Sequence, residues 1–235
     1  MRKAFLFICF LLLLIGCKKN NNSLNVVIKS VNPDFEGKTI LYALDIKDND
    51  SLYYHINPHK IFDVDDTIKL TDLPKGEYEL AYLGILGDTI SKSFSLSNNL
   101  TKTINVVYDS INTNAYKHKT PISKLKLGGL YKIVATGGCM TSMTSSYSIT
   151  RENNNYYWIE DDSTKIVLTE KMKAIIQDFE AELLTIKGKG SFSSTGVITY
   201  YIHSGNDTDT IHDNTYRWQG YSTLWNKLER EWKHR

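Results

Sequence analysis

Residues 72–80 read Asp-Leu-Pro-Lys-Gly-Glu-Tyr-Glu-Leu and join a tight turn to the start of a β-strand. Pro74 holds φ at roughly −65°, and Gly76 tolerates the positive φ that many turns require. Beyond the turn, polar and apolar residues alternate over residues 77–83, which is the period of a strand with one buried face. This stretch predicts a turn and strand of an antiparallel β fold.

The same alternation continues on both sides of this stretch, over residues 25–108. Short alternating runs are separated by Asn, Asp, Pro and Gly, and no helical period of useful length lies between them. Strands at this spacing predict an all-β antiparallel sandwich for the N-terminal half. The predicted strands are residues 25–31, 39–45, 66–70, 77–83, 89–96 and 101–107.

The stretch at 72–80 also resembles the Leu-Pro-x-Gly-x-Tyr turn and strand of prealbumin-like and carboxypeptidase-regulatory-like β-sandwich modules. Leu73, Pro74, Gly76 and Tyr78 carry the resemblance. It implies a sandwich fold for this half of the chain, in which the turn is structural, and it implies no activity.

The C-terminal half differs because strands share it with two amphipathic helices. Residues 109–126 lack a periodic apolar face and predict a linker, and residues 127–235 predict an α+β domain with an antiparallel sheet. The first helix is predicted over 169–185 with Thr169 as its N-cap, and the second after Gly220 with Ser222 as its N-cap. The predicted strands of this domain are residues 130–136, 145–151, 155–160, 191–203 and 207–218.

The first 16 residues have the order of a secretory signal peptide. Arg2 and Lys3 precede an apolar run over residues 4–15, which is too short to span a bilayer core of roughly 30 Å. This order predicts that residues 1–16 are removed on export.

The run ends in Leu14-Ile15-Gly16-Cys17, which resembles the lipobox of bacterial lipoproteins of the Bacteroidota type. The resemblance implies that Cys17 carries a lipid, with acyl chains such as palmitate, and anchors the protein to a membrane. Residues 17–24 then predict a lipidated cysteine followed by a flexible tether. We expect a position in the cell envelope, on the outer membrane facing the periplasm or on the cell surface.

Charge limits the partners of such a protein. Removal of residues 1–16 discards Arg2 and Lys3 and no acid, so the remaining chain is formally neutral. Because it has no long basic run, nothing predicts a nucleic-acid partner.

The loop before the second predicted strand of the C-terminal domain contains Cys139, Met140 and Met143. Cys139 could be a nucleophile with His203 or His212 as its base, or a buried small hydrophobe in a Gly-Gly turn. The two methionines could instead form an adaptable partner-binding loop. The sequence leaves the three interpretations open.

This loop and the strand that follows it faintly resemble an uncharacterised domain of envelope lipoproteins. Tyr147-Ser148-Ile149 and Tyr156-Tyr157-Trp158 carry the resemblance, but the second Cys and the Pro of that domain are absent here. It therefore implies at most a related fold.

A recurrent tripeptide of Asp, Ser or Thr and an apolar residue resembles the O-glycosylation site of exported Bacteroidota proteins. The same tripeptide also arises where Asp opens a turn before a strand. The candidate acceptors are Ser51, Thr67, Thr89, Ser110 and Thr210.

Aromatic pairs suggest a contact surface, because neighbouring residues of a strand point to opposite faces. One ring of each pair Tyr53-Tyr54, Tyr156-Tyr157 and Tyr200-Tyr201 must therefore point away from its own core. Such rings can stack on sugars, anchor a protein partner or pack between two domains.

These features together favour a non-catalytic envelope lipoprotein that acts as a binding or interaction module for a protein or glycan. A cysteine-dependent hydrolase centred on Cys139 and an inhibitor or immunity protein against a secreted enzyme are the alternatives. No cofactor and no metal site are expected, because the histidine pairs have no third ligand of the usual type.

Overall fold

The computed structural model describes residues 22–31, 38–41, 44–48, 51–56, 60–137, 143–159, 164–189, 197–215 and 218–233. The fold is rich in β-strands, and its longer helices lie toward the C-terminus. Two compact units are present, the first formed by Met1–Leu83 with Thr89–Tyr108 and the second by Gly84–Asp88 with Asp109–Arg235.

The strands of the first unit are short and half-buried. In β1, the side chains at Leu24, Val26 and Ile28 are buried and those between them are partly exposed, as alternation predicts. The strands are β1 (Asn22–Lys29), β2 (Lys38–Leu41), β3 (Leu44–Asp48), β4 (Ser51–Ile56), β5 (Lys60–Asp63), β6 (Thr67–Leu73), β7 (Gly76–Leu83), β8 (Thr89–Leu96) and β9 (Thr101–Val107).

These strands form a three-stranded sheet in the order β6-β1-β9, a four-stranded sheet in the order β4-β3-β7-β8, and a β2-β5 pair. One buried cluster contains Leu24 and Val106 of the first sheet together with Leu44 and Leu80 of the second. The expectation of purely antiparallel sheets is wrong for β1 and β9, which pair in parallel. A parallel pair requires a long connection, and here the other strands of the unit supply it.

The turn between β6 and β7 is held by a side chain of the strand that follows it. The Tyr78 hydroxyl donates to the Pro74 carbonyl oxygen at 2.8 Å, and the Tyr78 ring stacks on Phe94 with centroids 5.4 Å apart. Burial, and then the nearby charge of Asp48, raise the pKa of Tyr78, so the hydroxyl remains a donor. The tyrosine of this stretch thus closes the turn.

Substitution of Tyr78 by Phe is expected to cost the first unit about 1 kcal/mol, because the ring stays while the hydrogen bond to Pro74 is lost. Urea unfolding followed by circular dichroism measures the change. Tyr53→Phe is the matched control, since Tyr53 is 45% exposed and its substitution should change stability little. Equal losses in the two variants would contradict a structural role for the Tyr78 hydroxyl.

The second unit begins with short helical segments and continues into a six-stranded sheet with two longer helices. Its elements are a 3₁₀ helix (Lys117–Lys119), α1 (Pro121–Lys124), β10 (Leu130–Gly137), β11 (Met143–Glu152), β12 (Asn155–Ile159), β13 (Lys165–Val167), α2 (Glu170–Ile186), β14 (Thr199–Ser204), β15 (Asp207–His212) and α3 (Gly220–Lys233). The sheet is antiparallel throughout, in the order β13-β12-β11-β10-β14-β15.

One face of this sheet packs against α2 and α3 and forms the core of the unit. Tyr131, Trp158 and Tyr200 of the sheet belong to the same buried cluster as Phe179 of α2 and Leu224 of α3. We call this side of the sheet the inner face. Because successive residues of a strand alternate in direction, their neighbours form the opposite, outer face.

The structure confirms the predicted start of α2 and corrects the predicted start of α3. Thr169 caps α2 by accepting from the Met172 amide at 3.2 Å. The α3 helix begins at Gly220, and Ser222 does not cap it but donates to the Gln219 carbonyl oxygen. The predicted cap is wrong because the helix starts two residues earlier, where Gly220 fits beneath a buried ring.

The predicted linker and tether both contain ordered structure. Within 109–126 the chain forms the 3₁₀ helix and α1, and Ile122 and Leu125 are buried in the core of the second unit. Within 17–24, β1 starts at Asn22, whose side chain accepts from the Leu100 amide. Both segments have too few apolar residues to show a periodic pattern, and contacts with residues distant in sequence fix their structure.

Candidate functional site

Several candidate residues lie outside the described part of the chain. Cys17, Cys139 and Met140 are among them, and Met143 starts β11 but its side chain is not described. The lipidation site and the proposed partner-binding loop therefore stay predictions.

His203 and His212 lie on the outer face of the sheet but do not form a common site. His203 pairs with Thr208 across the β14–β15 hairpin, and His212 pairs with Thr199, four residues from His203. That separation along a strand is roughly 13 Å. Each imidazole Nδ1 is instead hydrogen-bonded to a threonine hydroxyl, with distances of 2.9 Å to Thr208 and 3.0 Å to Thr199.

The register also shows which of the two histidines lies nearer the end of β10. Thr199, opposite His212, pairs with Thr136 near the end of β10, whereas His203 pairs with Lys132 near its beginning. Of the two imidazoles, His212 therefore lies at the end of the sheet where β10 ends.

Four candidate glycosylation acceptors are described, and all four are exposed. Thr67 and Thr89 are the first residues of β6 and β8, Ser110 follows the first unit, and Thr210 lies in β15. The side chain of Ser51 is not described. Exposure is necessary for modification, and modification itself stays a prediction.

The outer face of the six-stranded sheet carries the predicted outward aromatic rings, along with hydroxyl and basic groups. Tyr200 is buried in the core while Tyr201 is partly exposed, and Trp158 is buried while Tyr157 is partly exposed. The ring of Tyr201 is nearly parallel to that of His203, with 13° between the ring planes and 6.4 Å between centroids. We call this pair of parallel rings the aromatic platform.

The register of the strands determines which side chains lie around this platform. Val134 lies opposite Tyr201, which in turn lies opposite Thr210. Lys132, opposite His203, is exposed near the centre of the sheet. The outer face includes Lys132, Val134, Ser146, Ser148, Tyr157, Ile159, Val167, Thr199, Tyr201, His203, Thr208, Thr210 and His212.

A buried carboxyl group in the core was not anticipated from the sequence. Glu180 of α2 is fully buried, and its Oε2 accepts from the Ile122 amide at 2.9 Å while its Oε1 accepts from the Tyr131 hydroxyl. Burial raises the pKa of Glu180 to about 8, although these two hydrogen bonds act in the opposite direction. Its position between Ile176 and Leu183 on the apolar stripe of the helix was the available signal.

The hydrogen bonds of Glu180 give this residue a structural role. Tyr147, whose hydroxyl is buried without a partner among the described residues, feels the charge of Glu180, but burial is the larger reason for its raised pKa. Glu180 joins α1, α2 and β10 through two hydrogen bonds. Both of its carboxylate oxygens are used in these bonds, so its role is to hold the helices on the sheet.

Two searches of the described residues were negative. None of the helices within them is both long enough and apolar enough to span a bilayer. No group of three or more His, Cys, Asp or Glu side chains in the same residues is arranged to bind a metal ion.

Comparison with known proteins yields no relative: the chain matches no family model, no curated protein and no solved structure.

Proposed function

We propose that this chain is a non-catalytic lipoprotein of the cell envelope and that the outer face of its second unit binds a protein or glycan partner. The observation that carries the proposal is the Tyr201–His203 platform, which is half-exposed and surrounded by hydroxyl groups on an open sheet face. A sheet face that only met water would be expected to show polar side chains in these positions.

The chemistry of the outer face suits a partner with both apolar and polar groups. Aromatic rings supply contact area with little loss of side-chain freedom, and Tyr is enriched where partners bind. Thr208 and Thr210 on the neighbouring strand supply hydroxyl groups beside the rings, and Ser146 and Ser148 supply others two strands away on the opposite side. A sugar ring or a protein side chain placed on Tyr201 would find both kinds of contact within one strand spacing.

The membrane anchor is proposed from the lipobox resemblance, and the position of β1 supports it. Only residues 18–21 separate Cys17 from the first strand residue, Asn22. Five peptide spans extend at most roughly 18 Å. A lipid on Cys17 would therefore hold the first unit close to the bilayer, which we place at the outer membrane, facing the periplasm.

For the first unit we further propose a β-sandwich that serves as a spacer between the anchor and the binding unit. Its support is the shared buried cluster of the three-stranded and four-stranded sheets.

Photo-crosslinking in intact cells tests the binding proposal. A photoreactive residue in place of Lys132, at the centre of the outer face, is expected to give a saturable adduct of defined mass. The same residue in place of Asn226, which is exposed on α3, is the matched control and should give none. Tyr201→Ser should reduce the adduct from position 132 at least about tenfold, because it removes a buried ring at the interface.

The exposed Tyr53 of the first unit supplies a second control, and Tyr53→Ser should leave the adduct unchanged. Equal labelling from positions 132 and 226, or an adduct that survives Tyr201→Ser, would reject the outer face as the binding surface.

A further inference from the structure

A tight turn in the second unit holds a leucine out into solvent. The Gly129 amide donates to the Lys126 carbonyl oxygen at 2.9 Å, and Gly128 has a φ of +73°, which leaves Leu127 at the corner of the turn. The Gly128 amide also donates to the Arg151 carbonyl oxygen at 2.7 Å, which ties the turn to β11. The exposed position of Leu127 is therefore built into the hydrogen bonding of the fold.

Leu127 is the most exposed large hydrophobic side chain among the described residues, at 66%, and Leu130 beside it is 53% exposed. Isolated exposed leucines are common on protein surfaces. Two within four residues, on a turn that hydrogen bonds hold in place, form an apolar patch that a binding partner would cover.

Three lysines line a groove that reaches this patch at Leu130. Lys119, Lys124 and Lys126 line a groove of about 520 Å³ together with Leu130 and other apolar side chains. Neither Lys124 nor Lys126 forms an ion pair with any described residue, and Lys119 contacts only the face of the Tyr116 ring. The groove is therefore positively charged at its rim.

The acidic side chain that lines the groove is itself paired with a lysine. Asp209 also lines the groove, but both of its carboxylate oxygens contact the Lys187 ammonium group. In the sequence, no Asp or Glu occurs between Asp109 and Glu152. The patch therefore combines apolar side chains at its tip with lysines that form no ion pair with any described residue.

We propose that this patch docks on a bilayer surface that contains anionic lipids, with Leu127 and Leu130 in the interfacial region and Lys119, Lys124 and Lys126 on the headgroups. Lysine stems can lie along apolar material while the ammonium groups reach the phosphates. The lysines discriminate against a protein partner, since lysine is depleted in protein interfaces and aromatic residues and arginine are enriched there. The proposal does not depend on partner binding by the outer face.

Amine acetylation of the full chain, read out lysine by lysine by mass spectrometry, tests the proposal. The protein is mixed with vesicles of phosphatidylcholine alone or of a three-to-one mixture of phosphatidylcholine and phosphatidylglycerol. We expect acetylation of Lys124 and Lys126 to slow at least about fivefold on the mixed vesicles only. Lys69 and Lys75, which are exposed in the first unit and have no ion pair with described residues, are the internal controls.

A variant separates docking from general electrostatic attraction. Leu127→Gln should abolish most of the protection, because the apolar contact is lost while all lysines remain. Leu52→Gln is the matched control, since Leu52 is 57% exposed in the first unit, and it should keep the protection. Attachment through residues 1–17 is common to all samples and does not affect the comparison.

The proposal would be overturned by unchanged acetylation of Lys124 and Lys126 on the mixed vesicles, by equal protection of Lys69 and Lys75, or by full protection in Leu127→Gln. An acidic protein partner for the patch would give the first of these. Protection of the same size on phosphatidylcholine alone would likewise reject a requirement for anionic lipid.

Discussion

Substitution of Gly220 by Ala is expected to lower the free energy of unfolding of the second unit by about 3 kcal/mol. A Cβ atom at this position would lie 1.9 Å from Cζ2 and 2.2 Å from Cε2 of the Trp218 indole. Such distances are far inside van der Waals contact, so either the ring or the start of α3 must move.

Neither movement is easy, because Trp218 is fixed on two sides. Its ring stacks on Phe179 at 6° with centroids 5.8 Å apart, and its Nε1 donates to Glu182 Oε2 at 2.9 Å. Displacing the indole would break this hydrogen bond and leave the Glu182 carboxyl, whose pKa burial already raises, with one partner fewer.

Tryptophan fluorescence during urea unfolding measures the effect, since all four tryptophans of the chain lie in the second unit. Gly188→Ala is the matched control. A Cβ there meets nothing within 4 Å, and the only cost is the positive φ of 69°, about 1 kcal/mol. If both variants lost the same stability, the close approach of Gly220 to Trp218 would not be what limits this position.

The second large effect is a dependence of stability on pH that arises from Glu180. Its pKa is about 8 in the folded state against 4.5 for an ordinary glutamate, so the folded protein holds a proton that the unfolded chain releases between these values. The contribution of Glu180 to the free energy of unfolding is therefore greatest below pH 4.5 and falls as pH rises toward 8. The expected slope is roughly 1 kcal/mol per pH unit.

Glu180→Gln tests the assignment, because the amide keeps the size and an acceptor oxygen but cannot ionise. Burial also raises the pKa values of Glu182 and Asp213, which contribute a slope of the same sign. The difference between wild type and Glu180→Gln isolates Glu180. Urea unfolding at several pH values from 5 to 8 should show a shallower slope in the variant, and identical slopes would show that Glu180 is not the group responsible.

Strands with clean alternation were predictable to the residue. Residues 89–96 and 101–107 were expected as strands and are β8 and β9, because polar and apolar side chains alternate over much of each. Residues 39–45 were expected as one strand, but the chain there forms parts of β2 and β3, which belong to different sheets. Periodicity shows that a segment is extended without showing where its partner changes.

Other elements were missed because their local sequence lacks a pattern. β4 and β5 lie on either side of residues 57–59. Alternation fails at Tyr53-Tyr54-His55 of β4. Both strands form through pairing with distant partners, β4 with β3 and β5 with β2. The 3₁₀ helix and α1 lie in a segment that reads as polar, yet Ile122 and Glu180 connect it to α2. Contacts between residues distant in sequence decide such segments.

The outer face likewise combines features that the sequence predicts with features that only the strand register determines. That one ring of Tyr200-Tyr201 would point outward follows from the alternation of a strand, and the structure confirms it with Tyr201. That His203 stacks beside Tyr201 while His212 lies four residues away follows from the register of the β14–β15 hairpin. The sequence contained both histidines but not the separation between them.

The sequence by itself determined some local features of this protein: the strands with clear alternation such as β8 and β9, the apolar stripe of α2 and its Thr169 cap, because these depend on neighbours within one turn or one strand. Only the tertiary structure decided the parallel pairing of β1 with β9, the burial of Glu180 and the lysine-lined groove at Leu130. These depend on residues tens of positions apart, and their pairing is chosen by the packing of the whole unit, which no local period records.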